Sequence, residues 1–131
     1  MTPYAVLILY LAFRMKQLTA DFLLSPWSRD KSKPFNEGGL KALCIHVTVH
    51  ALCALIVLLL LAPKFWWLAL VDFVIHFWID KCKACCNNKM GWTYSDDNYW
   101  RLFGADQEAH NLTHLGYIVY IVSQEGLIGI G

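Results

Sequence analysis

Charged residues are scarce in this sequence, and neither sign is in excess. They make up 16% of the 131 residues, with a formal net charge of +1. A nucleic-acid-binding surface needs clustered lysine and arginine interleaved with aromatic residues, and the sequence has no such patch. It also lacks internal repeats and low-complexity tracts. We therefore expect one domain over residues 1–131 that binds no nucleic acid.

Hydrophobic residues dominate instead, at 57% of the chain, with a mean hydropathy of +0.41. This composition favours an integral membrane protein over a soluble one. The apolar stretch from Tyr4 to Phe13 has no basic residue before it and no small-residue cleavage site after it. It therefore differs from a secretory signal, and we expect it to form part of a retained helix.

Apolar stretches separated by proline, glycine and polar residues predict an all-α fold, a bundle of four transmembrane helices. We expect a loop between the first and second helices and a tight turn at Pro63 and Lys64 between the second and third. A polar loop over residues 85–100 would follow the third helix, and its aromatic residues would anchor the membrane interface. A short tail would begin at Ser123. The predicted helices span about residues 2–24, 40–62, 65–83 and 102–122.

The basic residues of the connecting segments predict an orientation. Lysine and arginine cluster in the first and third loops, whereas the second loop has only Lys64 and both tails have none. Under the positive-inside rule, the first and third loops face the cytoplasm. The chain would then be a multi-pass protein of the bacterial inner membrane with both termini in the periplasm.

The histidines form the main functional signal. Each of the five lies four residues from another histidine or from an aspartate, and residues four apart share one helix face. In the predicted topology these groups, together with Asp21, lie at the cytoplasmic ends of all four helices. Imidazoles and carboxylates inside a membrane need partners, so a shared buried site is expected. Its candidate members are Asp21, His46, His50, His76, Asp80, Asp106, His110 and His114.

Imidazole and carboxylate together suit transition metals, and we expect one or two ions, with zinc the first choice. Such a site can acidify a water and polarise an ester oxygen, which predicts hydrolysis of a lipid or phosphate ester with Asp21 or Asp80 as general base. At the membrane surface the substrate would be amphipathic. Arg14, seven residues before Asp21, and secondarily Lys16 could hold its anionic group. Asp72, one turn further from the cytoplasm, is expected either to support the metal ligands or to make a contact between helices.

Two other functions stay open. Histidine–aspartate hydrogen bonds or a structural metal could simply hold the helices of a protein that acts through contacts with its own copies or with other proteins. Ion transport is less favoured, because the outer halves of the helices are almost entirely apolar. We expect Cys82, Cys85 and Cys86 to be reduced thiols in a cytoplasmic loop, since no fourth metal ligand lies near them. Cys44 and Cys53 fall in an apolar helix and are expected to pack as small apolar residues.

Four segments resemble a family of small phage and bacterial membrane proteins known as domain of unknown function 3307. The resemblance implies a phage or prophage setting and a membrane location, but no established reaction. A looser similarity to predicted membrane-bound metal-dependent hydrolases favours the metal interpretation. The family pattern has a histidine where this chain has Gln17; if that position is a ligand, His50 or His114 must compensate. The matching segments are 17–24, 43–46, His76-Phe-Trp-Ile-Asp80-Lys81 and Asp106-Gln-Glu-Ala-His110.

Overall fold

The computed structural model describes residues 2–23 and 38–129, and the backbone of these residues is helical apart from short turns. The expectation of an all-α protein is confirmed for this part of the chain, which contains no strand. A π-helical turn, Thr19–Leu23, extends the first helix, and a 3-10 turn, Pro63–Phe65, joins the second to the third. The four α-helices are α1 (Pro3–Leu18), α2 (Gly39–Leu61), α3 (Leu68–Met90) and α4 (Asp97–Gly129).

Local sequence signals explain several helix ends. Thr2 caps α1 because its Oγ1 accepts a hydrogen bond from the backbone N–H of Ala5 at 3.2 Å, and Pro3 occupies the first turn. At the other end of the bundle, α3 stops at Gly91, whose φ of 69° is the left-handed conformation that commonly ends a helix.

The third and fourth helices are longer than the sequence predicts. The interpretation of residues 85–100 as a loop is wrong, because α3 continues to Met90 and α4 already begins at Asp97. The expected short tail from Ser123 is also helical, up to Gly129. Polar composition suggested that the chain is not helical in either place. In the structure, α3 ends only before Gly91. Residues 25–37 of the first predicted loop lie outside the described residues.

Each helix packs against two others, so that α1 contacts α2 and α4, and α3 contacts α2 and α4. Short turns join α2 to α3 and α3 to α4, which makes these neighbours antiparallel. The apolar core lies at the end of the bundle that holds the α2–α3 turn. It includes Leu9, Phe13, Ala54, Leu58, Phe65, Leu68, Ile118 and Ile121.

One helix is long and apolar enough to cross a membrane. This is α2, with 23 residues and a mean hydropathy of 2.5 over its most apolar window. At 1.5 Å per residue it is about 35 Å long, slightly more than the roughly 30 Å of a bilayer's hydrocarbon core. By the same criterion of length and composition, the other described helices are not candidate spans.

Candidate metal centre

Side chains from all four helices meet in the half of the bundle opposite the apolar core. Their separation of four residues within α2, α3 and α4 places both members of each pair on the face that points inward. The π-helical turn after α1 supplies the remaining carboxylate. The group consists of Asp21, His46, His50, His76, Asp80, Asp106 and His110, of which all but Asp21 are at least 95% buried.

The Asp21 carboxylate uses its two oxygens differently. Oδ1 lies 2.7 Å from Nε2 of His50 and 3.3 Å from Nε2 of His46. Oδ2 accepts hydrogen bonds from the side-chain amides of Gln17 at 2.6 Å and Gln107 at 3.0 Å. The two amides therefore fix the carboxylate so that its other oxygen faces the imidazoles.

Asp80 lies at the centre of the group. Its Oδ2 is 3.2 Å from Nε2 of His46 and 3.4 Å from Nε2 of His76. Its Oδ1 is 3.2 Å from Nε2 of His110 and 3.9 Å from Nζ of Lys83. Both oxygens of this carboxylate thus face imidazole nitrogens, on two different sides.

The carboxylate of Asp106, like that of Asp21, has different partners at its two oxygens. Its Oδ2 accepts a hydrogen bond from Nζ of Lys83 at 3.0 Å, and its Oδ1 lies 3.3 Å from Nε2 of His110. A lysine therefore holds one oxygen, and the other faces an imidazole.

The imidazole rings are packed directly against one another. The ring centroids of His50 and His76 are 3.8 Å apart, and those of His76 and His110 are 3.7 Å apart with an interplanar angle of 20°. His46 meets the edge of His50 at 4.6 Å. Stacking at this distance would place positive charges in contact if neighbouring rings were protonated, so it favours neutral imidazoles, the form that binds metal.

The donor set meets the requirements of a transition-metal site. Asp21, His46, His50 and His76 offer ligand atoms within 4.8 Å of one another, and so do His76, Asp80 and His110. Nε2 of His76, Oδ2 of Asp80 and Oδ1 of Asp106 are buried, and their contacts at 3.2–3.4 Å lack the geometry of a hydrogen bond. Buried polar atoms without a partner are costly, and a shared cation would satisfy them together.

Charge gives a second reason for a cation. Asp80 and Asp106 contact one ammonium group, that of Lys83, whereas Asp21 contacts amides and imidazoles. If the imidazoles are neutral, the three carboxylates exceed that ammonium by two negative charges. Bound divalent metal would offset this excess, and uncompensated buried charge is strongly unfavourable.

His114 does not join the group, although the sequence includes it among the ligands. One turn along α4 from His110, its Nε2 lies 3.1 Å from Nζ of Lys16. Lys16 also donates to Oδ2 of Asp72 at 2.9 Å, and Tyr117 donates its hydroxyl to Oδ1 at 3.1 Å. These four residues form a separate ion-pair layer between the metal-binding group and the apolar core. Asp72 thus makes a contact between helices, which is one role expected for it.

The prediction that Arg14 lies on the same helix face as Asp21 is wrong. Arg14 is exposed and donates to the side chain of Asn111, whereas Lys16 is buried. The seven-residue spacing from Arg14 to Asp21 would return to the same face in a continuous α-helix. The π-helical turn at Thr19–Leu23 has more residues per turn, so the face of Asp21 is rotated relative to that of Arg14.

The three clustered cysteines lie on α3 rather than in a loop. Cys82 and Cys85 are exposed, Cys86 is half-buried, and all three are free thiols. Among the described residues, the groups that could hold a metal include no cysteine. Their predicted position in a loop is wrong, and their reduced state stays a prediction.

A groove of about 530 Å³ lies between α3 and α4, next to the histidine–aspartate group. Asp106, a member of that group, and Lys83, which contacts Asp80 and Asp106, line one part of the groove. The other lining residues are largely apolar and include Trp78, Ile79 and Leu102. The groove offers a route from the outside of the bundle to the carboxylates.

The family model described as "Protein of unknown function (DUF3307)" matches residues 6–127. The chain belongs to this family. The match covers all seven members of the group. No curated protein and no solved structure matches the chain. Gln17, which replaces the histidine of the family pattern noted above, holds Asp21 through an amide, and His50 supplies an imidazole to the same carboxylate.

Proposed function

We propose that this protein is a membrane metalloenzyme that hydrolyses a lipid or phosphate ester at the cytoplasmic surface of the bacterial inner membrane. The observation that carries the proposal is the convergence of imidazole nitrogens and carboxylate oxygens in two adjoining groups, which share His76 and draw on the π-helical turn, α2, α3 and α4. Zinc is the first candidate ion, because neutral imidazole and carboxylate are its usual ligands besides thiolate.

The distribution of polarity supports the membrane location. Large apolar side chains are exposed on α1, α2, α3 and α4, whereas the five histidines, Lys16, Asp72, Asp80 and Asp106 are buried between them. Examples are Leu11, Leu60, Leu70 and Val119, each at least 50% exposed. An apolar exterior around a polar interior suits a lipid environment and would be unfavourable in water.

The groove between α3 and α4 supports an amphipathic substrate. An acyl or isoprenoid chain would pack against its apolar lining, and Lys83 would attract the anionic head group toward the carboxylates. A divalent ion held by the group would polarise the phosphoryl or carbonyl oxygen and acidify a water. Of the two proposed general bases, Asp80 is the better placed, because Oδ1 lies 3.9 Å from Nζ of the groove residue Lys83.

The test combines metal analysis with turnover. Protein purified in detergent should carry transition metal and release product from labelled inner-membrane phospholipids or isoprenoid phosphates, and a chelator should stop the reaction. Asp80→Asn should abolish turnover without unfolding the protein. Asp97→Asn, at an exposed aspartate that begins α4, is the matched control and should retain activity.

The outcomes separate this proposal from the alternatives. Less than roughly 0.2 equivalents of metal after supplementation would exclude the metal site and leave a histidine–aspartate network that joins helices. Stoichiometric metal without turnover of any inner-membrane lipid would favour a structural metal in a phage or prophage protein that acts through protein contacts.

A further inference from the structure

We infer that the site holds two divalent transition-metal ions bridged by the carboxylate of Asp80. This inference rests on the proposed metal site and adds its stoichiometry and the role of each ligand. The first argument is the asymmetry among the three carboxylates. Asp21 and Asp106 each have one oxygen held by amide or ammonium donors and one facing imidazoles. Asp80 alone of these three presents both oxygens to imidazoles, Oδ2 to His46 and His76 and Oδ1 to His110.

The second argument is the number of lone pairs. His76 belongs to both groups of candidate ligands, but its Nε2 has one lone pair and can bind one ion. His110 directs its own Nε2 at the other oxygen of Asp80. The stacked rings of His76 and His110 are 3.7 Å apart, which matches the roughly 3.5–4 Å between the ions of two-metal sites. Two ions side by side therefore give each stacked imidazole its own partner.

The two ions would have different surroundings. The first would be held by Asp21, His46, His50 and His76, which already supply four ligand atoms from three helical segments. Four protein ligands are typical of a closed, structural site.

The second ion would be held by Asp106 and His110 together with the bridging Asp80. With fewer protein ligands it keeps open positions, as catalytic sites do. Asp106 also lines the groove between α3 and α4. The substrate oxygen would therefore meet the second ion, while the first fixes Asp80. With both oxygens bound to metal, Asp80 would act as a bridging ligand, and not as the general base of the proposed hydrolysis.

The test uses Mn²⁺ as a paramagnetic probe of the protein in detergent micelles. Metal analysis should give two equivalents, and electron paramagnetic resonance should show an exchange-coupled pair. Asp80→Asn should remove the coupling. His110→Ala should leave one uncoupled ion, and Asp97→Asn should leave the wild-type spectrum unchanged.

A single equivalent at saturation, or two equivalents without coupling in the wild-type protein, overturns the two-ion assignment whether or not the variants fold. One equivalent with chelator-sensitive turnover would retain the proposed function and reject only the second ion. No bound metal would reject both. Loss of coupling in His50→Ala with coupling retained in Asp80→Asn would show that another group forms the bridge.

Discussion

Replacing Lys16 with methionine should destabilise the bundle more than any change of an exposed lysine. The Lys16 side chain is completely buried, and its Nζ lies 2.9 Å from Oδ2 of Asp72, whose side chain is 2% exposed. Methionine has a similar length and fills the same space without the charge. The substitution therefore removes the cation and leaves the carboxylate.

The expected loss in the free energy of unfolding is about 3–5 kcal/mol, the usual effect of removing one partner of a buried ion pair. The hydroxyl of Tyr117 still donates to Asp72, and His114 lies 3.6 Å away, so the carboxylate keeps some stabilisation. The expected loss in the free energy of unfolding is therefore near the lower end of this range. An exposed pair would contribute only about 0–1 kcal/mol.

The assay is reversible unfolding in mixed detergent micelles, followed by circular dichroism. Lys89→Met, at an exposed lysine in the last turn of α3, is the matched control and should change stability little. Adding Asp72→Leu to Lys16→Met should restore part of the loss, because it removes the unpaired carboxylate. A loss below about 1 kcal/mol for Lys16→Met would refute the view that this pair is a buried ionic contact.

Three further results are expected. His110→Ala should lower both the metal occupancy and the melting temperature, because it leaves buried polar groups without a partner at a cost in stability of roughly 1–3 kcal/mol. Cys85→Ser should change neither property, and metal analysis and thermal unfolding check both variants. Cysteine-accessibility labelling should place the Asn88 position in the cytoplasm and Gly131 in the periplasm, and a cytoplasmic C-terminus would reverse the proposed orientation. Gly91→Ala should cost about 1–2 kcal/mol in thermal or denaturant unfolding, because alanine must adopt the left-handed conformation there; no measurable loss would contradict that requirement.

Spacing alone was sufficient to predict most of the site. The four-residue separation of His46 and His50, and of His76 and Asp80, places each pair on one helix face whatever the exact helix ends. Alternating helix directions then bring these faces to the same depth. For this reason seven of the eight expected residues lie together in the structure, even though the predicted ends of α3 and α4 are wrong.

The remaining features depend on backbone details that spacing does not encode. The π-helical turn at Thr19–Leu23 rotates Asp21 relative to Arg14, and only the structure shows it. His114 has the same four-residue spacing as the true members, but one more turn along α4 brings it to the ammonium of Lys16. A signal was available in Lys16 itself, since a lysine in a largely apolar helix needs an acid when it is buried, and Asp72 is that acid.

The interior of the bundle therefore changes in character from one end to the other. At the α2–α3 turn it is apolar. In the next layer the charges of Lys16 and Asp72 cancel within one contact. Only the third layer has more carboxylates than ammonium groups, and that layer adjoins the groove beside Lys83 and Asp106. Carboxylates exceed ammonium groups in that layer alone, and the core at the other end of the described bundle is apolar. The arrangement therefore favours the proposed chemistry at one end of the bundle over passage of an ion through it.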